Sequence, residues 1–503
     1  MNIFLILMVI YIAAMLALGY FGSKKATDST SYATSKGDVS VFNVSITFAA
    51  TFASAGTFLG VAGQGFAYGV TNIWFWASQW TSAGIIMALI ARRYRRMNMN
   101  KNSATVADWI ADRYDSQGLR VWLAIVSLAQ IAFIASQLVG AGVIINQMMP
   151  FISYKMGVLI SAVVIIIYIS MGGSYAHIYT NIAQGIMMAI VGIILAVSGF
   201  FVFGNIITEV PAQLAAIDPK LAMPLNPDNG GYPDILHVAG MFIAHFWWAL
   251  NPQLINKVTY LKSEKDVKTF CWLGPLLMFL MCSVVLVGSY TRILVPEGLG
   301  ETISGMDSAV PYYVSMIFPK FIGAVFLVVI MAAMMSTVDG VLLYVSSILG
   351  CTLYKNTYVA NRVSKGEKVD MEKVERTTMN ILKYSTFLIG LIAVPIAFNK
   401  PSNLTAMLWG AAGPIMSAVA GPVVIGIYSK RPSAKAAALG SVLGCLSFLV
   451  LYFGKIVSSV YLCCAIGGLV SVVLCVIGLY VFPPMAGEKA EKIFQIVEDA
   501  STD

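Results

Sequence analysis

Residues 45–69 have the sequence SITFAATFASAGTFLGVAGQGFAYG, which is unusual for a helix that faces lipid. Small and hydroxyl residues crowd its middle, and its glycines weaken helical continuity. These glycines are Gly56, Gly60, Gly63 and Gly65. In a bilayer a broken helix is tolerated only where protein or a water-filled cavity satisfies the freed backbone groups. The stretch therefore predicts a discontinuous helix, with a closely packed helix of small residues as the alternative.

A second apolar stretch, residues 233–258, is also interrupted. Its sequence is PDILHVAGMFIAHFWWALNPQLINKV, with Asn251 and Pro252 inside it. Pro252 lacks a backbone donor, and its ring clashes with the carbonyl group four residues earlier. We therefore predict unwinding near residues 248–252.

The composition of the chain is typical of a membrane protein. Of its 503 residues, 58% are hydrophobic and 11% are charged, and the mean hydropathy is +0.79. Soluble domains carry about a quarter charged residues, which argues against soluble enzymes, secreted disulfide modules, disordered chains and nucleic-acid-binding proteins. The net charge of +8 comes from basic blocks between apolar runs, a pattern that membrane orientation explains. The seven cysteines are odd in number and lack CxxC spacing, so we expect buried small hydrophobes rather than disulfides or a metal site.

Thirteen segments are long and apolar enough to be predicted as membrane spans. The first has no positive residue before its apolar part, so we predict a retained span rather than a signal peptide. Placing the N-terminus outside puts 26 of the 32 Lys and Arg residues, and the C-terminus, on the cytoplasmic side. The predicted spans are residues 2–22, 38–68, 72–92, 119–149, 154–171, 178–206, 233–261, 267–294, 320–354, 375–399, 402–428, 434–454 and 457–482.

Each interrupted segment opens a block of five predicted spans. Because an odd number of spans separates their starts, the two blocks, residues 38–206 and 233–428, enter the membrane from opposite sides. Inverted repeats whose first helices are discontinuous are typical of secondary transporters with a binding site at the midplane. The other predicted units are an extra N-terminal span with a cytoplasmic linker (1–37), an extracellular loop (207–232), two extra C-terminal spans (429–482) and a cytoplasmic tail (483–503).

One carboxylate lies deep in the predicted spans. Of the 24 acidic residues, Asp339 alone falls well inside a span, where a charge costs about 3 kcal/mol or more unless it is compensated. A protonated or water-exposed Asp339 near an inner vestibule is the alternative. No lysine or arginine is expected at that depth, so a carboxylate substrate would have to meet helix N-termini or His245.

Two hydroxyls precede this aspartate, Ser336 and Thr337, with Ala333 one turn earlier. Sodium takes about five hard oxygen ligands, which the carbonyls of an unwound helix and two hydroxyls supply without a formal charge. The pattern indicates a sodium site, although hydroxyls in membrane helices also bond simply to their own backbone.

Several motifs resemble those of the sodium/solute symporter family, which has the LeuT-type inverted-repeat fold. The likeness extends over roughly residues 1–482, and the pantothenate-type branch is the most similar. The motifs are AATFASAGTFLG (49–60), RRYRRMNMNKNSATVADWIADRY (92–114), MGGSYAHIYTNIAQG (171–185), AAMMSTVDG (332–340) and WGAAGP (409–414). The resemblance implies an all-α integral membrane protein that couples import of a solute to sodium.

The resemblance also implies the ligands of the sodium ion. In the family these are two carbonyls from the first core helix, and a carbonyl and two hydroxyls from the eighth. The matching residues are Ala50 and Ala53, and Ala333, Ser336 and Thr337.

The same unwound segment is implied to contact the substrate, through Ser54 and Thr57, with Asn251 across the cavity. Gln137 and Trp248 are polar or amphipathic groups at membrane depth, and we include them in the predicted substrate site. Bridging between neighbouring helices is the alternative for both, as it is for others of this kind. These others are Gln64, Gln130, His245, Trp247 and Trp409.

The chain departs from the family's pattern at several positions. Relatives with a second sodium have serines two and three residues after the hydroxyl pair and an aspartate in the fifth core helix. This chain has Asp339, Gly340 and Asn181 there, so we expect one sodium per cycle, with Asp339 and Asn181 as a candidate second ion or proton site. Phe52 and Thr57 replace an aspartate of proline carriers and a glutamine of sugar carriers, which disfavours both substrates.

We predict a sodium-coupled importer of a small organic solute in the cell membrane, with carboxylates and vitamins as candidate solutes. The chain has no GxGxxG after a strand, no Walker A sequence and no HExxH, so no enzymatic activity is expected. Proton coupling through Asp339, or a channel or sensor that keeps the transporter fold, are the alternatives. The expected partners are sodium, the solute and the lipid bilayer, without nucleic acid or an obligatory protein.

Overall fold

A computed structural model of the protein describes residues 3–35, 39–99, 103–303, 305–401 and 404–485. These residues are mainly helical, with one isolated β-bridge between Val39 and Leu261. The α-helices are α1 (Ile3–Ser23), α2 (Ser29–Ala33), α3 (Val41–Phe52), α4 (Ala62–Tyr68), α5 (Ile73–Met99), α6 (Val106–Tyr114), α7 (Gln117–Ser127), α8 (Gln130–Met148), α9 (Tyr154–Phe203), α10 (Glu209–Ile217), α11 (Ile235–Ala249), α12 (Pro252–Ile255), α13 (Glu264–Cys282), α14 (Val287–Leu294), α15 (Ala309–Ile317), α16 (Lys320–Ser347), α17 (Ala360–Ser364), α18 (Met371–Ala397), α19 (Leu404–Tyr428), α20 (Ala434–Phe453) and α21 (Val460–Val481). Shorter 3-10 helices are Gly69–Asn72, Pro219–Ala222, Asn256–Tyr260, Ser283–Leu286 and Met306–Ser308, and π-helical segments are Gly56–Val61 and Ile348–Val359.

Ten helical stretches of the described chain are long and apolar enough to cross a membrane. Two of them, Gly56–Asn98 and Tyr154–Phe203, each cover parts of two predicted spans. α11, with 15 residues, is too short to count on its own because the chain is interrupted after it. The number of thirteen spans and their orientation therefore stay predictions. Most of the predicted cytoplasmic tail, from residue 486 onwards, lies outside the described residues.

A bend in α9 separates two of the predicted spans. It lies at Gly173, whose φ of +52° is a left-handed conformation that favours glycine. A Cβ atom at this position would lie 2.5 Å from the backbone oxygen of Tyr32 in α2. The bend thus needs glycine for its conformation and for the close approach of α2.

The first predicted interruption is confirmed. α3 ends at Phe52, Ala53 leaves the helical conformation with ψ of 94°, and the chain becomes helical again in the π-helical segment Gly56–Val61. Short π-helical segments are frequent at functional sites. The break precedes Gly56, so the four glycines lie after it, where they allow close packing rather than marking the interruption itself.

The second predicted interruption is also confirmed, at the expected proline. α11 ends at Ala249, Asn251 is non-helical with ψ of 132°, and Pro252 is the first residue of α12. Proline suits this position because the first N–H groups of a helix have no helical partner in any case. After α12 the 3-10 helix Asn256–Tyr260 is largely buried.

α16 lies at the centre of the fold. Its residues from 326 to 347 are all buried, and it packs against α3, α8 and α9. α13 packs against α3 and α5, whereas α19, α20 and α21 pack against one another. The predicted burial of the cysteines is confirmed for six of the seven, and Cys271 is half-buried. Since α16 is enclosed, its polar side chains face neighbouring helices rather than lipid.

Gly288 provides a test of this packing, because it lies where α14 meets α4. A Cβ atom at Gly288 would lie 1.6 Å from the carbonyl oxygen of Ala62, so an alanine there requires the backbone to move. We expect Gly288→Ala to destabilise the protein by about 1–3 kcal/mol or more, seen as a lower melting temperature in detergent. The control is Gly300→Ala, which has no atom within 4 Å of the added Cβ and should melt like the wild type. Equal melting of the Gly288→Ala and wild-type proteins would contradict the close contact.

Candidate functional site

One helix, α8, contacts both interruptions. The side-chain oxygen of Gln137 accepts a 2.9 Å hydrogen bond from the backbone N–H of Ala55. The amide nitrogen of Gln130 donates to the side-chain oxygen of Asn251 at 3.3 Å. The two glutamines are seven residues apart, which places them on the same face of α8 about two turns from each other. α8 thus contacts both broken segments, and at the first of them it accepts a hydrogen bond from the released N–H group of Ala55.

The hydroxyl pair on α16 faces the end of α3. Ser336 Oγ lies 3.0 Å from the carbonyl oxygen of Ala50 and 2.8 Å from that of Ala333. Thr337 Oγ1 lies 3.2 Å from the carbonyl oxygen of Thr51 and 3.3 Å from that of Ala333. Two hydroxyl and three carbonyl oxygens from two helices therefore meet at a buried point.

The carbonyls of Ala50 and Thr51 are available because α3 stops. The last carbonyls of a helix receive no N–H group from within that helix. Here the N–H of Ala53 still bonds to Ala49, but the chain is non-helical after it. The hydroxyls of α16 take the place of the missing donors, which satisfies these carbonyls at membrane depth.

The donor set at this point suits sodium. Neutral carbonyl and hydroxyl oxygens are the hard ligands that such a cation prefers, and they require no carboxylate, thiolate or imidazole. Within the part of the chain that the structure describes, no group of three or more His, Cys, Asp or Glu side chains could hold a metal ion. The site is thus suited to a small hard cation rather than to a transition metal.

Four of the five predicted sodium ligands are brought together. They are Ala50, Ala333, Ser336 and Thr337. Ala53, the fifth, lies just beyond α3 and makes no hydrogen bond to either hydroxyl within the described ranges. The carbonyl of Thr51 is present instead. Thr51 lies in the last turn of the same interrupted helix, and this position could have indicated its carbonyl as a ligand.

The five predicted substrate residues are buried near the interruptions. Ser54 Oγ accepts a hydrogen bond from the backbone N–H of Gly56 at 3.2 Å. Thr57 Oγ1 accepts one from Gln79 Nε2, also at 3.2 Å. Gln79 was not among the predicted site residues. Of the other three, Gln137 lies on α8 and Asn251 bonds to Gln130 of α8. Trp248 belongs to a group of aromatic rings and lies 5.9 Å from Phe133 of α8.

Aromatic rings from several helices meet beside the interruptions. The rings of Trp248 and Trp409 have centroids 4.4 Å apart, and Phe52 lies 6.0 Å from Trp248. The His245 ring lies 4.8 Å from Phe75 and 5.0 Å from Trp409. We call Phe52, Phe75, His245, Trp248, Trp409 and Tyr461 the aromatic cluster. It gives the region flat apolar surfaces with a few polar atoms at their edges.

His245 presents a hydrogen-bond acceptor within this cluster. Its Nδ1 lies 2.9 Å from the carbonyl oxygen of Met241, which can only accept, and 3.0 Å from the hydroxyl of Ser78, which donates its own hydrogen to Phe75, so Nδ1 carries the hydrogen. Nε2 of the neutral ring is therefore an acceptor, and it is buried without a partner among the described residues.

Four further buried polar atoms in this region also lack a partner among the residues that the structure describes. They are Gln79 Oε1, Gln130 Oε1, Trp248 Nε1 and Asn251 Nδ2. Because buried polar groups are almost always hydrogen-bonded, such atoms indicate where a polar solute can bind.

The expectation that no cation lies deep in the protein is wrong. Lys257 is only 1% exposed, and its amine lies 2.6 Å from Nε2 of His177. The count of basic residues assigns Lys257 to a cytoplasmic segment because it lies near the end of a predicted span. The interruption at Pro252 changes this, since the short helices that follow it are buried.

Asp339 is fully buried, which excludes the water-exposed alternative. Its Oδ1 lies 2.8 Å from Nδ1 of His177, so the imidazole bridges Asp339 and Lys257. We call Asp339, His177 and Lys257 the buried charge network. Asn181 Nδ2 lies 2.9 Å from His177 Nδ1, so the two predicted members of the second site meet through His177. Neither His177 nor Lys257 was a predicted site residue.

Comparison with protein families and curated proteins gives consistent matches. A model of the "Sodium:solute symporter family" matches residues 32–444. A sodium/pantothenate symporter of Haemophilus influenzae is 25% identical over 460 residues, which are 90% of this chain and 91% of that protein. A sodium/pantothenate symporter of Escherichia coli is 27% identical over 465 residues, with 88% and 89% covered. The high-affinity proline transporter PutP of Bacillus subtilis is 24% identical over 444 residues, with 87% and 89% covered.

Two solved structures show the fold. A sodium-coupled sialic acid symporter in a substrate-bound outward-open state superposes with a TM-score of 0.76 at 18% identity, covering 96% of this chain and 99% of that one. A nucleobase-cation-symport-1 family transporter in a closed conformation superposes with a TM-score of 0.54 at 12% identity, covering 91% and 96%. The chain is thus an all-helical multi-pass membrane protein with a LeuT-like fold.

The contact of Gln137 with Ala55 can be tested by Gln137→Leu. This change leaves the released N–H of Ala55 without an acceptor, and we expect it to destabilise the protein by about 1–3 kcal/mol. Gln147→Leu is a matched control on α8, because Gln147 is exposed. Melting temperatures of the purified variants in detergent measure the effect. A Gln137→Leu protein as stable as the Gln147→Leu protein would contradict the assigned role.

Proposed function

The chain belongs to the sodium:solute symporter family, and from this membership we propose that it imports a small organic solute with sodium by alternating access. The family consists of transporters rather than enzymes, and membership makes the chain a sodium-coupled, multi-pass symporter of the cell membrane. Sodium is a co-substrate in such a cycle rather than a cofactor.

The observation that carries the proposal is the meeting of the α16 hydroxyls with the free carbonyls of α3. A sodium ion bound by these oxygens would join α3 to α16. An ion can shift a conformational equilibrium only by binding the two conformations differently. Because the oxygens come from two helices, relative movement of those helices would assemble the sodium site in one conformation and separate it in the other.

We place the solute between the two interruptions, against the aromatic cluster. The unpartnered atoms there are the donors of Trp248 and Asn251 and the acceptors of Gln79, Gln130 and His245. All five belong to side chains without a formal charge once His245 is neutral. A solute with hydroxyl or amide groups can satisfy them, and vitamins and carboxylates stay the candidates. Pantothenate is supported by two relatives that are named sodium/pantothenate symporters.

The sodium site is tested by Ser336→Ala and Thr337→Ala. Each change removes one oxygen, and we expect sodium affinity to fall about tenfold to a hundredfold, since a hydrogen bond or ligand to a charged group contributes about 1.5–3 kcal/mol. The measurement is the rise in melting temperature on adding NaCl, compared with KCl at the same concentration. Ser347→Ala is the matched control, because Ser347 lies on α16 and bonds to the carbonyl of Leu343 in its own helix. If Ser336→Ala and Thr337→Ala keep the wild-type response to sodium, the ion is bound elsewhere.

The solute is tested by screening carboxylates, vitamins, amino acids and sugars for uptake into proteoliposomes, each with sodium and with potassium. We expect saturable uptake of one chemical class, driven by a sodium gradient and weakened by Trp248→Leu, which removes a donor and a ring of the aromatic cluster. Uptake driven by a proton gradient without sodium, and abolished by Asp339→Asn, would support proton coupling instead. Flux that neither saturates nor depends on the sodium gradient would support a channel.

A further inference from the structure

The buried charge network joins three separate elements. Asp339 lies on α16, His177 on α9, and Lys257 on the 3-10 helix after the second interruption. Both carboxylate oxygens of Asp339 are used: Oδ1 bonds to His177 at 2.8 Å, and Oδ2 accepts from Thr180 at 3.1 Å and from Tyr168 at 3.3 Å. All five side chains are at most 2% exposed. The network is therefore a buried contact between helices rather than a surface ion pair.

The hydrogen bonds fit an ammonium group on Lys257 and a carboxylate on Asp339. An ammonium group only donates, so Lys257 donates to Nε2 of His177. A neutral imidazole that accepts at Nε2 carries its hydrogen on Nδ1, which donates to Asp339; the amide of Asn181 then turns its oxygen, rather than its NH2 group, towards Nδ1. The arrangement is an ammonium, a neutral imidazole and a carboxylate with three donors. Its formal charges cancel, which removes most of the cost of burying either ion alone.

This compensation lies close to the proposed sodium site. Asp339 follows Thr337 by two residues on α16, and an uncompensated carboxylate there would attract a mobile cation. A polar cavity of about 20 Å³ beside His177, lined by Gln253, Asn256 and Ser347 among others, has room for about one water molecule. In this structure the charge of Asp339 is balanced by Lys257, through His177, rather than by a mobile cation.

We propose that Lys257 is a built-in cation that takes the place of a second mobile sodium ion beside Asp339, so that each cycle couples one sodium ion. The inference rests on the proposed function, because it concerns the number of ions in that cycle. It also gives α16 two attachments of different kinds. A sodium ion that enters and leaves would join α16 to the first broken helix, and a lysine that cannot leave joins it, through His177, to the second.

Sodium binding to variants of the purified full-length protein tests this proposal. The probe is NaCl alone, replaced by choline chloride at constant ionic strength, and the readouts are the stoichiometry of bound ²²Na⁺ and the steepness of the sodium titration. We expect about one sodium and a Hill slope of about 1 for the wild type and for Lys257→Arg, which keeps the charge. Lys257→Gln leaves Asp339 without its cation and should bind about two sodium ions with a slope above 1. Lys257→Gln combined with Asp339→Asn should return to one.

Thermal stability without sodium provides a second measure. Lys257→Gln and Asp339→Asn should each lower the melting temperature, and the double variant should recover at least half of the larger loss, because it leaves no charge unpaired. Lys262→Gln is the control, since Lys262 is exposed nearby and should change neither measure.

Different outcomes contradict the inference and the proposed function. One bound sodium in Lys257→Gln, two in the wild type, or a double variant no more stable than the worse single variant would each overturn the inference. If Lys257→Gln does not fold, recovery of a folded protein in the double variant supports the pairing of the two charges, and a double variant that also fails to fold contradicts the inference. Absence of any sodium-specific response in the wild type and in Lys262→Gln would instead contradict sodium symport, whatever the stability of the charge variants.

Discussion

Backbone groups released in the interior of a membrane protein must find new partners, and this constraint organises the site. The chain is non-helical at residues 53–54 and 250–251. At the first interruption the released groups are met by side chains from neighbouring helices, whereas at the second the N–H and carbonyl groups of Asn251 bond to the backbone of the adjoining turns. Gln137 of α8 accepts from Ala55, and the hydroxyls of Ser336 and Thr337 of α16 donate to carbonyls of α3. Because the same carbonyls are hard oxygen ligands, the groups that stabilise the broken helix are also those that suit a cation. The structure of the break and the proposed sodium binding thus depend on one set of atoms.

Buried charged side chains in this fold are paired with one another, unlike the released backbone groups, which bond to neutral side chains. Asp339 and Lys257 are both buried, and His177 connects them. Towards the ends of the helices, buried ions follow the same rule: Asp108, on α6, is 0% exposed and has Arg120 at 3.2 Å. In the central region, by contrast, the predicted solute contacts are uncharged. Ion pairs join helices to one another, whereas neutral groups are left available for solute and sodium.

Much of this arrangement could be predicted from sequence, for identifiable reasons. Pro252 favours an interruption because a proline inside a helix loses a hydrogen bond, although Pro275, Pro395, Pro414 and Pro422 lie inside continuous helices. Ser336 and Thr337 were predictable from two adjacent hydroxyls deep in an apolar span and from the family motif that contains them. The burial of Lys257 was not predictable, because a lysine near a span end normally reaches water and only the local path after Pro252 turns it inward. The place of Thr51 in the last turn of the interrupted helix could have indicated its carbonyl, whereas the role of Gln130 depends on which helix faces which, and hydropathy carries no information on that. The bend at Gly173 separates α9 into the two predicted parts, but a single glycine does not reveal a left-handed φ.

The contact of Gly288 with Ala62 has a mechanical consequence for the first broken helix. With no side chain between them, the backbones of α14 and α4 lie in direct contact at this point. The half of the broken helix that contains Ala62 thus packs closely against α14, while α3 is connected to it through the non-helical residues 53–54 and the π-helical segment. A tilt of α3 relative to α4 would bend the chain at these residues, beside the carbonyls that end α3, and would therefore change the spacing of their oxygens.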